Sequence, residues 1–584
     1  MLVVADPPVA TPEEAAEQVK RGKVVVLMIG NIHGGEVDGK EALPMLAREV
    51  LLHEGEAAHP LLKDLVLVFA PIYNADGNER VGKDNRPGQV GPEEGMGIRE
   101  NAQGFDLNRD FVKLEAPETR ALVRVLNTWD PAVFIDTHTT NGSYHGYVLT
   151  FEGPKAPAGD GAIIEYVRDE MLPRVSRGLE GGRGIRTWFY GDFAEGHTKW
   201  VTFPPLPRYG TNYVGLRNRI SILSEGYSYA PYEDRVMATL HFVRACLEDV
   251  AANKEKVKRL LREADEGAVR AGKEPREGDV IVLRAKAAPA PEKVKVAGFV
   301  EEEREGKVVS TGEAREYEVE HWNRAEATLT AARPFAYLIP EGMDEVVEVL
   351  QRHGVEVEEL REDIELDVEA YRIDAVTRAV RAFQGHVPVT VEATAHKETR
   401  RVPAGTRLVR TGQRLGALAA YLLEPMAEDG LATWNFLDEW LVVGEDYPIV
   451  RINAPAPITS GAVRPLEEDR ERPRLMTFEE FYEGEGRAPN LSGSPVGGVE
   501  WLEDGEHFIQ RKEGKVWRVH AATGRAEPAL DPEPIEAALA ALPTVSEKDA
   551  KRLAGRAWGA LSKDRSVALL EHGGALYYVR ADGS

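Results

Sequence analysis

Two short stretches carry residue types that could do chemistry together. His33 and Glu36 stand three apart in Asn31-Ile-His33-Gly-Gly-Glu36. On a turn that runs into a helix, this spacing aims an imidazole and a carboxylate at one point, and the two glycines between them add no side-chain bulk there. His138, in Asp136-Thr-His138, would complete a His₂Glu set. Two imidazoles and a carboxylate with a position left for water are the ligand set of a catalytic zinc site. Zinc in such a site polarises a carbonyl and lowers the pKa of its water towards ~7. Asp136 lies two residues before His138, hence on the same strand face, where a carboxylate orients a ligand imidazole. The bland readings stay open at this point: H-x-x-E alone suits a solvated turn, and a buried aspartate can cap a neighbouring loop.

Residues so far apart need a scaffold that gathers them. Residues 23–30, 64–71, 131–138 and 219–225 are short apolar runs rich in β-branched side chains, the pattern of buried strands. Residues 39–53, 117–128 and 231–252 have helical spacing. The alternation predicts an α/β fold whose sheet is covered on both faces. Ligands of such sheets gather beyond the carboxyl ends of the strands. His33 follows the first run, His138 ends the third and Glu225 ends the fourth.

Beyond this catalytic segment (1–270), residues 254–278 are charged and read as a helix end followed by a linker. Residues 279–463 read as a mixed α+β accessory region without a catalytic motif, strand-like to about 340 and helical over 343–353. A Pro/Glu/Arg-rich stretch, 464–474, reads as a second linker before a tail, 475–584. In that tail 501–524 lies over 560–583 without gaps at an offset of 59, matching Leu502/Leu561, Gly514/Gly573, Ala522/Ala581 and Gly524/Gly583. Each copy alternates turns and strands as a β-propeller blade unit does.

The chain has 584 residues, which at ~150 per domain implies several units. Its 43% hydrophobic content excludes wholesale disorder. The net charge of −25 argues against broad nucleic-acid binding, which needs a cationic footprint. The single cysteine, Cys246, excludes an intrachain disulfide. No apolar run reaches the ~18 residues of a membrane span. The first ten residues show no signal-peptide pattern.

The stretch 71–110 adds Asn74-Ala-Asp76-Gly77, Arg99-Glu-Asn101 and Asp106-Leu-Asn108-Arg109. With His33/Glu36, the strand-end His138 in D-T-H-T and Glu225 in S-E-G-Y-S-Y, this ordered set resembles the zinc carboxypeptidases of the carboxypeptidase A type over roughly residues 1–250. The resemblance implies a three-layer mixed sheet and one Zn²⁺ per chain, bound by His33, Glu36 and His138. It implies Glu225 as general base and then acid, and Arg99 as oxyanion stabiliser. Asn108 and Arg109 would grip the terminal carboxylate of a peptide with a free C-terminus. Such enzymes also supply a mobile tyrosine; Tyr209 and Tyr213 lie in the right neighbourhood, and Tyr190 is a third option. The family has a further strand and helix before the first ligand, and only 32 residues precede His33, so the N-terminus reads as truncated and secretion stays open. Substrate pockets are expected around Tyr144, His145, Tyr190 and His197.

The tail also resembles the start of the propeller of dipeptidyl peptidase IV-type serine peptidases, through 476–481, 501–505 and 518–524, with no G-x-S-x-G to support serine-peptidase activity. Two other functions compete with a metallocarboxypeptidase. N-acyl amino acid deacylases of the aspartoacylase type resemble the same frame, including D-L-N-R, and a non-catalytic binding protein would need no intact site. Compartment and oligomeric state have no sequence signal.

Overall fold

The computed structural model describes residues 1–53, 58–463, 500–502, 507–512, 515–520, 525–528, 532–555, 557 and 567–580. They fall into two units, Met1–Arg472 and Pro473–Ser584.

The apolar runs of the first unit form strands because both of their faces are covered. Along β2 (Val24–Gly30), Val25, Leu27 and Ile29 enter one core while Val24, Val26 and Met28 enter another. Each fully buried aliphatic side chain contributes roughly 1.5–3 kcal/mol, so a strand held by two cores has its register fixed from both sides. One core takes its other wall from helices Asp38–Leu51, Leu172–Arg183 and Tyr232–Ala252. The opposite core takes it from Pro117–Trp129 and Gly210–Leu216. The result is three layers around one sheet.

That sheet also contains β1 (Leu2–Val4), β3 (Leu65–Ala70), β4 (Val133–Thr140), β5 (Leu149–Glu152), β6 (Thr187–Phe189) and β9 (Ile220–Tyr227), in the order β1-β3-β2-β4-β9-β5-β6. β2, β3, β4 and β9 run parallel, whereas β1 and β5 pair antiparallel with β3 and β9, so the sheet is mixed. Parallel β4 and β9 place His138 directly opposite Glu225.

Several boundaries differ from the sequence reading. The residues before His33 supply a strand, β1, and a helix, Pro12–Lys20, ahead of β2. The segment 254–278, expected as a helix end followed by a linker, is mostly helix, Lys254–Lys273, because Val257, Leu261 and Ala264 bury one face of a charged segment. The catalytic and accessory regions are not separate bodies, since both contribute to one core and both lie in the first unit. β7 (Asp192–Ala194) and β8 (Lys199–Val201), from the catalytic region, join the accessory hairpin of Lys293–Arg304 and Lys307–Trp322 in one sheet. A second long hairpin, Ile364–Arg378 with Val389–Val402, belongs to a seven-stranded accessory sheet.

In the second unit, the hairpins His507–Lys512/Lys515–His520 and Val567–His572/Ala575–Arg580 correspond to the two sequence copies. Helices Pro532–Ala540 and Glu547–Ala554 stand between them in the chain, and Ile535, Leu539 and Leu553 share a core with Ala568, Leu570 and Val579 of the second hairpin. Blades do not follow one another here, and the propeller expectation finds no support. Residues 476–481 lie outside the described residues.

Candidate active site

His33 sits just past the end of β2, in a turn built by its own sequence. Asn31 has φ 64°, and its Nδ2 donates to the backbone oxygen of Gly34 at 2.9 Å. The two glycines before Glu36 make room for protein rather than for a metal. A Cβ on Gly34 would lie 2.2 Å from the carbonyl carbon of Gly77, and one on Gly35 would lie 2.7 Å from Cγ of Arg86. The Asn74–Gly77 turn therefore packs against the ligand loop. Asn74 Oδ1 accepts from Gly77 N at 2.8 Å, and Nδ2 donates to the backbone oxygens of Ile32 and Arg99 at 3.2 and 3.1 Å.

The three expected ligands converge. Nδ1 of His33 lies 2.9 Å from Glu36 Oε1, and Nδ1 of His138 lies 2.8 Å from Glu36 Oε2. An aspartate stands behind each imidazole: His33 Nε2 is 3.0 Å from Asp106 Oδ1 in a hydrogen bond, and His138 Nε2 lies 2.9 Å from Asp136 Oδ2 as a close ion pair. All three ligand residues are buried, and their donor atoms lie within 4.8 Å of one another. Two imidazoles with carboxylates beside their far nitrogens, facing one shared carboxylate, fit a zinc ion by the chemistry of the donor set.

The charges agree with a cation centre. His138 resists its burial: Asp136 and Glu36 outweigh that burial and hold its pKa well above the ordinary imidazole value. Burial also opposes the charge on Glu36, yet His33, Arg86 and His138 hold it well below the carboxylate range. Asp106 is held down, against burial, by His33 and Arg99. Glu225 differs. Removal from water pushes it up to about 8, with Glu36 and Asp136 adding to the rise and His138 and Arg99 opposing it.

The ligands lie at one side of a cleft of about 450 Å³ that Arg99, Asn108, Arg109, Tyr190, Phe203, Tyr209, Thr211 and Glu225 also line. Arg99 Nε donates to Asp106 Oδ2 at 2.8 Å. Asn108 Oδ1 accepts from Gly210 N at 2.8 Å, which turns its Nδ2 towards His138 Nε2 at 3.5 Å. The guanidinium of Arg109 lies 4.5 Å over the ring of Tyr209.

Tyr213 is placed elsewhere. It is fully buried on a helix whose residues are all buried, and its hydroxyl bonds to His353 Nδ1 at 2.8 Å in the core shared with the accessory region. Of the pocket residues expected, Tyr190 lines the cleft, whereas Tyr144, His145 and His197 are not among its lining residues. His145 is buried between Tyr147, Tyr227 and Trp200, and that burial lowers its pKa to about 3. The sequence reading missed Arg86, whose Nη2 donates to Glu36 Oε1 at 2.8 Å. Arg86 sits in an irregular loop with no periodic pattern to flag it. It also assigned no role to Asp106, although D-L-N-R pointed at it.

The fold and the site define a metallopeptidase class, and comparison with known proteins agrees. The family model described as zinc carboxypeptidase matches residues 5–148, a span that includes His33, Glu36, Arg99, Asn108, Arg109 and His138 and stops before Glu225. Carboxypeptidase 2 of Trichophyton tonsurans is 25% identical over 460 residues, covering 75% of this chain and 78% of that protein. Carboxypeptidase D of Rattus norvegicus is 34% identical over 130 residues, 20% of this chain and 9% of that protein. Among solved structures, a metallo-carboxypeptidase from Pseudomonas aeruginosa in complex with (2-guanidinoethylmercapto)succinic acid aligns with a TM-score of 0.30 at 16% identity. That alignment covers 40% of this chain and 58% of the other. The family match and the relatives' names support the zinc carboxypeptidase family and, with it, an enzyme of the metallocarboxypeptidase class. Among the described residues no helix is long and apolar enough to cross a membrane.

Proposed function

We propose that the chain removes C-terminal residues from peptides with a free terminal carboxylate, using one zinc ion held by His33, Glu36 and His138. The observation that carries this reading is the convergence of those three donors beside a cleft that Glu225, Arg99, Asn108 and Arg109 share. Bound zinc would supply Lewis-acid polarisation of the scissile carbonyl and an acidified water.

The chain's own residues do the rest. The Glu225 carboxylate takes a proton from the attacking water and delivers it to the leaving amine nitrogen. Arg99, anchored on Asp106, donates to the oxygen that gains charge as the carbonyl is attacked. Arg109 and the Nδ2 of Asn108 receive the terminal carboxylate, the guanidinium offering a planar pair of donors. Tyr209 supports Arg109 from below through its ring face.

The test is zinc content together with a substrate panel. About one zinc per chain, lost in His138→Ala, and release of C-terminal residues that stops on chelation and returns with zinc, are expected. Preference for acylated amino acids over peptides would replace the reading with a deacylase. Failure to bind zinc would leave only a binding protein.

A further inference from the structure

The accessory region carries no catalytic motif, yet it reaches the corner of the cleft where Asn108 and Arg109 sit. Three consecutive residues form the link. Arg208 donates from its backbone N to Asp429 Oδ2 at 2.7 Å and from Nε to Asp429 Oδ1 at 3.0 Å. Tyr209 lies under the guanidinium of Arg109, and Gly210 N holds Asn108 Oδ1 at 2.8 Å.

The accessory end of this link is rigid. Asp429 is fully buried and also accepts from Trp434 Nε1 at 2.8 Å. The Arg208 guanidinium stacks 4.7 Å over the Trp434 ring. A second tether approaches from the tip of the Ile364–Arg378/Val389–Val402 hairpin. There Gln384 Oε1 accepts from Asp106 N at 2.9 Å, two residues before Asn108. A carboxylate that accepts from both a backbone N–H and a side chain of one residue fixes that residue's position and its orientation.

We propose that Asp429 is a positioning residue for the reaction. Through Arg208 it sets Tyr209 and Gly210, and through them the geometry in which Arg109 and Asn108 meet a substrate's terminal carboxylate. The accessory region is then a part of the specificity device rather than an appended domain. The inference rests on the carboxypeptidase reading for what the corner binds, and on the contacts alone for what holds it.

The experiment uses the full chain with Asp429→Asn, which keeps the shape but turns an NH₂ group or a neutral oxygen towards Arg208. Arg208→Gln, at a partly exposed position, serves if the buried variant fails to fold. KM for a free-carboxylate peptide is expected to rise about 10-fold with kcat changed less than about threefold, the size of a typical coupling between networked residues. Cleavage of the amidated peptide should not change. On an Arg109→Ala background, Asp429→Asn should raise KM by clearly less than the factor seen in wild type, because one of the two groups it positions is gone. Amide exchange over 203–210 should quicken, with the zinc content unchanged. An additive effect on the Arg109→Ala background, an equal loss for amidated and free peptides, or an unchanged KM would overturn the proposal. The exchange measurement separates the two possible failures. A wild-type chain that holds zinc but cleaves no peptide defeats the carboxypeptidase reading, whereas unchanged exchange over 203–210 defeats the clamp by itself.

Discussion

Glu225→Gln isolates the proton-transfer step. Glutamine fills the same space on β9 opposite His138 and leaves all three zinc donors in place, so the fold and metal content should stay as they are. In the proposed mechanism, what is lost is the group that accepts the proton. Among the residues that line the cleft, only Glu36 and Glu225 are carboxylates, and Glu36 is committed to the two imidazoles. The phenol of Tyr190 is pushed upward by burial and by Glu225, so it is a poorer acceptor still. With no substitute base nearby, the loss should lie at the upper end of general-base effects, about 10³- to 10⁴-fold in kcat. That corresponds to about 4–5 kcal/mol of transition-state stabilisation. The assay is steady-state release of the C-terminal amino acid, with zinc content and thermal melting measured on the same sample. A variant that keeps zinc and fold and retains more than a tenth of wild-type kcat would refute the assignment.

Two further predictions concern the cleft and the core. Arg109→Ala should lower kcat/KM for free-carboxylate peptides roughly 10- to 100-fold, the worth of one charge-assisted contact, and leave amidated peptides within about twofold; equal losses on both would remove Arg109 from carboxylate recognition. His353 gives the pH dependence. Burial lowers its pKa to about 3 from 6.5, with nearby Arg217 adding to the shift, and Tyr213 Oη occupies the Nδ1 that would have to take the proton. The unfolded chain gains that proton below pH 6.5 while the folded chain does not. The stability it contributes is therefore complete above 6.5 and drains as the pH falls towards 3. By pH 5 this is about 2 kcal/mol, taken as 1.36 kcal/mol per unit of difference. Denaturant unfolding at pH 7 and pH 5 should show that share of the loss in wild type and not in His353→Gln. Identical pH slopes would contradict it.

What the sequence made legible is what a buried sheet cannot hide. Strands covered on both faces must be apolar, so their carboxyl ends, and the polar residues just beyond them, stand out. That is why His33, Glu36, His138 and Glu225 stood out as candidates in a single chain, while the role given to Glu225 came from the family resemblance. Tyr209 and Tyr213 could not be told apart in the same way. The helix Gly210–Leu216 is buried on every side, so its sequence has no polar stripe to show that Tyr213 faces the core, and Tyr209 stands just before its first residue. Residues 254–278 read as a helix end followed by a linker because charge dominates them, although Val257, Leu261 and Ala264 recur at helical spacing on one face. Gln384 and Asp429 were out of reach for another reason. They meet Asp106 and Arg208 across 278 and 221 residues, and no local spacing encodes such contacts.

The same long-range contacts decide what counts as the catalytic body. Arg217 Nη1 donates to Tyr213 Oη at 3.1 Å and to the backbone oxygen of His353 at 2.7 Å, while its Nη2 reaches Asn127 Oδ1 at 2.6 Å. Asn127 Nδ2 in turn donates to the backbone oxygen of Arg352 at 2.9 Å, and His353 Nε2 to that of Val112 at 3.0 Å. This seam locks the accessory helix Asp344–Arg352 onto the layer of helices that backs the central sheet. A cut near residue 275 would take the His353 carbonyl from Arg217, His353 Nδ1 from Tyr213 and the Arg352 carbonyl from Asn127, and would expose the apolar side chains of the shared core to water. It would also release Asp106 and Arg208 from their tethers. A boundary drawn where the motif-bearing sequence ends therefore cuts through both the core and the support of the site. The accessory region is part of the body that carries the cleft, through the seam at Arg217 and through the tethers at Arg208 and Asp106.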